Sequence, residues 1–189
     1  MIKKRVKILS AVLFLFLLLP VFGGGKKGTD VSDTSFSGQE QTLPEYELRG
    51  VRHYHYEDGV LQFEVTFEEG EYFAGSQELY VENCHFVYYD KNKAIISRGS
   101  SRSARIYGER TLVIAEKDVV IVSDVNGTVL ETDYLEWHGE EEKFITESPV
   151  RITRKNGDTI SGRGMVADLA LRFITIQSDV KGSFKESRS

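Results

Sequence analysis

The stretch VLQFEVTF, Val60 to Phe67, decides the fold. Leu61, Phe63, Val65 and Phe67 share one face of an extended strand and Gln62, Glu64 and Thr66 the other, so one face is dry and one is wet. Outward from it, runs rich in Val, Ile, Tyr, Phe and Thr are separated by turn signals at Asp58-Gly59, Glu69-Gly70, Asn126-Gly127 and Asn156-Gly157. Strand-like segments recur at about 79–89, 94–99, 103–107, 111–122, 128–137, 143–146, 149–154, 158–163 and 168–180. Nothing after Phe22 carries a sustained helical period. Many short strands without intervening helices mean an all-β domain, whether sandwich, barrel or jelly roll. The segments NCHFVYYDKNKAIISRGSSRSARIYG and TDYLEWHGEEEKFITESPVRITRKNG are weakly alike, each an aromatic strand, a charged turn, an Ile-containing strand, a break and a strand carrying Arg-Ile. A fold of stacked hairpins would produce such a repeat.

The chain has 189 residues, about one domain's worth. Lys3, Lys4, Arg5 and Lys7 precede an apolar run from Ile8 to Phe22, the pattern of an export signal. No small-x-small cleavage site follows in PVFGGGKK, so residues 1–22 read as an uncleaved, single-pass membrane anchor with the basic residues on the cytoplasmic side and the bulk of the chain exported; the family resemblance given below implies the inner membrane and the periplasm. Residues 23–45, rich in Gly, Ser, Thr and charge, read as a flexible linker, 46–184 as the folded domain and 185–189 as a polar tail.

Charge and cysteine content exclude several functions. Without the four N-terminal basic residues the chain keeps 20 Lys and Arg against 29 Asp and Glu, the wrong sign for a nucleic-acid partner. Cys84 is the only cysteine, so no internal disulfide can form, and it reads as a small buried hydrophobe. His53 and His55, with Glu57 following on the same strand face, are the best metal candidates, but His85 and His138 have no spacing that ties them to the pair. No metal or other cofactor is expected. No G-x-S-x-G is present, Ser100 to Ser103 have no nearby histidine, and SGRGMV opens no helix to cradle phosphate. An enzyme is the minority reading.

The apolar content remains. The chain has 21 aromatic residues, and in a two-layer β-fold large inward side chains either fill the interior or line a slot. The face carrying Phe63, Val65 and Phe67, with Phe86, Ile106, Ile114, Ile152 and Phe173, is the candidate interior. Composition leaves open whether that interior is packed core or an elongated lipid groove.

Several motifs, in order, carry a family resemblance: YELRGVRHYHYEDGVLQFEV (46–65), GEYF (70–73), LYVENCHFVYYD (79–90), TLVIAEKDVVIVSDVNGTVLETDYLEW (111–137), FITESPVRIT (144–153), GRGMVAD (162–168) and ITIQSDVKG (174–182). The chain resembles the LptC family, inner-membrane-anchored components of the lipopolysaccharide export bridge, and more distantly the OstA-like domains. The resemblance implies a twisted, open β-jelly roll of two antiparallel sheets in a V, preceded by one anchor helix. It implies a conduit that breaks no bond: lipopolysaccharide or a similar lipid would come from an inner-membrane ABC permease complex, ride in the apolar interior and pass to a soluble periplasmic bridge protein of the same jelly-roll type. It also implies docking by strand addition at two edges, Arg49 to Tyr56 (Arg49, Val51, His53, His55) and Phe173 to Val180 (Phe173, Thr175, Gln177, Val180). On this reading MVADLALRFITIQSDVKG is an edge strand whose inward Leu169, Leu171 and Phe173 close the groove, and Gly162 and Gly164 mark a bend or bulge. The central SRGSSRSARIYGER is more basic than the family pattern, which leaves its pairing open. An envelope adaptor that binds partners through its sheet edges without carrying lipid is the alternative.

Overall fold

A computed structural model describes residues 43–107 and 112–185. It contains nine strands, β1 (Tyr46–Glu57), β2 (Val60–Phe73), β3 (Glu78–Tyr89), β4 (Ile95–Tyr107), β5 (Leu112–Ser123), β6 (Val129–His138), β7 (Lys143–Thr153), β8 (Thr159–Asp168) and β9 (Ile174–Ser183). The expected all-β class holds, but the two separate sheets do not. All nine strands pair antiparallel in chain order, β1 to β9, within one open sheet. Short hairpin connections explain this, because each strand can pair at once with the next. The expected anchor at 1–22 and most of the linker lie outside the described residues. Among those described, no helix is long and apolar enough to cross a membrane. Within the last residues of the expected linker, the Glu45 amide donates to the Tyr72 carbonyl (2.9 Å) and the Glu45 carboxylate accepts from the Ala74 amide (2.6 Å).

Side-chain contacts show that the sheet folds over on itself. Phe63 of β2 meets Trp137 of β6 with ring centroids 6.1 Å apart, and Phe86 of β3 meets Phe144 of β7 at 6.2 Å. Each pair is four strands apart along the ladder, which in a flat sheet is about 19 Å at the usual strand spacing. The bend follows a row of irregularities crossing the sheet. Pairing shifts register between Ser100 and Ser103 on β4, Glu116 and Val119 on β5, Thr132 and Glu136 on β6, Thr146 and Pro149 on β7, and Ser161 and Arg163 on β8. An unequal residue count on paired strands sharpens twist and bends the ladder. The breaks expected within 94–107 and 143–154 are therefore bulges inside the continuous strands β4 and β7. The bulge expected at Gly162 and Gly164 is present too, with Gly164 at φ +70°. The two weakly similar segments are the β3–β4 and β6–β7 hairpins.

Turn expectations fare unevenly. Asp58 (φ 50°) and Gly59 (φ 76°) form the two-residue link between β1 and β2, and Gly127 and Gly157 also have positive φ. Glu69-Gly70 is no turn: both residues lie within β2, and a Cβ on Gly70 would stand 2.8 Å from the Phe67 ring, so this glycine makes room for an aromatic side chain. The expected strand 168–180 starts late. The Asp168 carboxylate accepts from the amides of Arg172 (2.7 Å) and Phe173 (3.0 Å) and from Arg172 Nε (3.1 Å), winding 169–173 into a turn.

The basic segment of β4 is a central strand paired on both sides. Its arginines meet acids of β5 and the turn after it: Arg98 with Asp124 (3.0 Å), Arg105 with Glu116 (2.7 Å), and Arg102 with Asp118. On the inner face Gly99 pairs with Phe86, and a Cβ there would stand 2.0 Å from that ring and 2.7 Å from Ile121. Gly99→Ala is expected to cost about 1–3 kcal/mol through overpacking, whereas Gly75→Ala, with nothing within 4 Å, should change stability by less than about 0.5 kcal/mol. Urea melts of the two variants check the contrast; equal effects would mean that Phe86 does not rest on Gly99.

Candidate functional site: an apolar groove between the halves of the sheet

The folded-over sheet encloses a groove of about 290 Å³ on its inner face, close to the lower end of small-molecule sites at about 300 Å³. Its lining comes from β1 to β7 and from the turn before β9. Large side chains form the walls: Phe63, Phe86, Tyr88, Trp137 and Phe144. Small ones on β4, from Ser97 and Gly99 to Ala104, leave the open space. At one end the Ser123 hydroxyl donates to the Ala170 carbonyl (2.6 Å) and the Asn126 amide to the Leu171 carbonyl (3.2 Å), tying the β5–β6 turn to the β8–β9 turn. This bracing holds Leu169 against the groove and buries Leu171 beside it.

Of the residues expected to face the interior, Phe63, Val65, Phe67, Phe86 and Ile106 line the groove. Leu61 does not, because a register shift at His55/Tyr56 separates it from Phe63. Ile152 and Leu171 are buried in the core beyond the groove. Two expectations are corrected. Ile114 lies between the groove-lining Val113 and Ala115, so alternation turns it to the outer face, where it pairs with Arg105 and Glu136. Phe173 is 76% exposed in the turn before β9 and closes nothing.

Trp137, Phe144, Tyr88 and Leu135 also line the groove and were not singled out from sequence. Mid-strand irregularities hid them: bulges in β4 and β6, and a left-handed Asn83 (φ 50°) in β3. On β3 the inward positions run Leu79, Val81 and then Cys84, Phe86; on β4 Ser97, Ser101 and then Ala104, Ile106; on β6 Leu130, Thr132 and then Leu135, Trp137. Alternation changes phase in mid-strand, so a count carried from one end assigns the other end to the wrong face. The phase change is itself a readable signal.

The histidines are dispersed. His55 stacks on Phe63 (4.7 Å, 23°), His53 lies 6.2 Å from the same ring and lines the groove, and His138 Nε2 bonds Glu136 (2.8 Å). The side chain of Glu57 lies outside the described residues, among which no three His, Cys, Asp or Glu residues gather as metal ligands. Cys84 is buried in the groove wall, and burial pushes its thiol up to about 11, away from reactivity. On the outer face Tyr134 donates to Glu136 (2.7 Å); that bond, with the one from His138, holds the Glu136 carboxyl below its usual range against its partial burial.

Among the described residues, edges β1 and β9 each pair on one side only. Arg49, Val51, His53 and His55 lie on β1, and Thr175, Gln177 and Val180 on β9; Phe173 precedes β9.

Comparison with known families matches residues 12–185 to the family described as lipopolysaccharide-assembly, LptC-related. The chain belongs to this family. Comparison with curated proteins finds no match. Membership in the LptC-related family places the chain in lipopolysaccharide transport at the cell envelope, a transport and assembly role.

Burial, and then the neighbouring His55, hold the His53 imidazole below its ordinary range. The unfolded chain therefore takes up a proton at about pH 6.5 that the folded chain refuses, so His53 favours the fold above that pH and loses this contribution as pH falls toward the lowered folded value. Thermal melts of wild type and His53→Gln between about pH 7.5 and 5 should show the wild type losing more stability on acidification. Parallel loss in both would contradict a groove-buried His53.

Proposed function

We propose that this protein carries lipopolysaccharide acyl chains in its groove, taking lipid extracted by an inner-membrane ABC permease and passing it to a soluble periplasmic bridge protein of similar fold. The observation that carries the reading is the aromatic-walled, unfilled groove inside a domain of this family. A packed interior would hold no chain. Here Phe63–Trp137 and Phe86–Phe144 contacts prop the two halves apart over a floor of serine, glycine and alanine. Acyl chains lose water on entering such a slot at about 0.8 kcal/mol per buried methylene, so a few buried carbons hold the lipid without any covalent step.

Docking would use the two edges. β1 offers its free backbone edge to the permease and β9 to the bridge protein, each gaining an added strand. In this reading Arg49, Val51, His53 and His55 belong to the entry edge and Thr175, Gln177 and Val180 to the exit edge. The anchor of residues 1–22 would keep the entry edge beside the membrane.

Photo-crosslinking in cells tests the reading, with a photoreactive phenylalanine replacing Phe63, Phe86 or Trp137, and replacing the exposed Phe173 as the outward control. Lipid adducts at the three inward positions and none at Phe173 are expected, with protein adducts when the probe is moved to Thr175 or Gln177. Protein adducts at the edges with no lipid at the inward positions would establish the lipid-free adaptor instead.

A further inference from the structure

Charge is divided unevenly across the sheet. Residues 43–90, which build β1 to β3, carry eleven Asp and Glu against two Arg, whereas residues 143–185, which build β7 to β9, carry four against eight Lys and Arg. Most cations of the second segment are also unpaired. Lys143, Arg151 and Arg172 meet carboxylates, Arg151 only at 3.8 Å from Glu131, but among the described residues Arg154, Lys155, Arg163, Lys181 and Lys185 have no ion pair. Register places several of them together. Val150 and Ile152 belong to the core, so Arg151 between them points out, and the rung Arg151–Ser161–Lys181 continues that outer face across β7, β8 and β9. Pro149–Arg163 and Thr153–Thr159–Ser183 are the outer rungs on either side. This face is therefore built of cations and hydroxyls. Arg154, Lys155 and Lys185 extend it at the β7–β8 turn, where the Lys185 side chain lies against Gly157.

We propose that the outer face of β7 to β9 docks on the surface of an anionic lipid bilayer. Phosphate-bearing headgroups match it, since each unpaired cation gains near a negative surface and each hydroxyl can donate to a phosphate oxygen. A protein partner matches it less well, because specific interfaces centre on buried aromatic or aliphatic anchors and these three rungs present none. The acidic strands give the docking a direction. A surface that attracts β7 to β9 repels β1 to β3, so the domain has one favoured way to lie. The linker expected at 23–45 spans up to about 80 Å when extended, so an anchor at 1–22 would keep the face within reach of the bilayer and raise its effective concentration there. Docking is a resting orientation, which the domain leaves when β1 engages a partner, and it holds whether or not the groove carries lipid.

Lysine reactivity tests the docking on the full chain, reconstituted in lipid nanodiscs of phosphatidylcholine alone or mixed with phosphatidylglycerol. The lysines are acetylated with a water-soluble reagent and read by mass spectrometry. Lys155, Lys181 and Lys185 should react about 3- to 10-fold more slowly in the anionic discs, and high salt should abolish the difference because it screens the surface charge. Lys91 and Lys93, exposed in the β3–β4 turn, should react alike in both discs. Arg151→Glu/Arg163→Glu, at two exposed positions, should melt like the wild type and lose the protection, while Arg163→Lys keeps it. Equal reactivity of the three lysines in the two kinds of disc overturns the proposal. Protection that survives high salt or charge reversal, or that extends to Lys91 and Lys93, overturns it as well, since none of these outcomes requires the basic face.

Discussion

One nine-stranded ladder must bend if it is to bury its own inner face, and the row of bulges from β4 to β8 is the constraint on which everything else here depends. Without unequal pairing counts, Phe63 and Trp137 would lie far apart on the same side of an open surface, and the inner face would stay wet. With them the sheet turns back, β2 and β3 come over β6 and β7, and the aromatic contacts form. Two separate sheets could reach a similar section. A single sheet does so with every interior strand paired on both sides, and among the described residues its open edges are β1 and β9.

The same bend explains why an interior with two buried clusters still has room in it. One cluster gathers around Leu130, Phe144 and Met165 on β6 to β8, the other around Phe67, Val81 and Ala104 on β2 to β4. Aromatic rings reaching across the gap hold the halves at a fixed distance, while β4 presents side chains too small to meet them. Gly99 shows the compromise. The Phe86 ring lies directly over it, so even one methyl group would force the wall to move. Bulk in the walls and smallness in the floor together fix the groove.

Much of this was legible in the sequence. Alternation through Phe63, Val65 and Phe67 gave the inner face of β2, the Asp-Gly and Asn-Gly pairs marked hairpins, and the ordered motifs pointed to the family. The failures have specific physical causes. Gly70 looked like a turn because glycine permits turns, yet here it accommodates Phe67. Phe173 looked inward because alternation was carried through Asp168, whose carboxylate captures two downstream amides and ends the strand. Ile114 was placed from hydrophobicity alone, one residue out of phase. Ser100 to Ser103 read as a break between strand-like segments 94–99 and 103–107, because small hydroxyl residues carry no apolar alternation, yet they lie within the continuous strand β4.

Open edges are normally a hazard, since any exposed strand can recruit another. Both edges here are interrupted. Gly50 (φ 59°) breaks the extended run of β1, with Arg49 before it and Arg52 two residues after, and Asp179 (φ 54°) does the same in β9, where pairing also slips between Ser161 and Arg163. A backbone in the left-handed region turns its amide and carbonyl out of the ladder, so a regular strand approaching either edge meets a break partway along. Indiscriminate pairing is thereby penalised, while a partner whose own strand ends or bulges at the matching place loses nothing. The bulges that fold the sheet and the breaks that guard its edges are the same kind of local departure, placed inside the sheet to make a groove and at its margins to choose company.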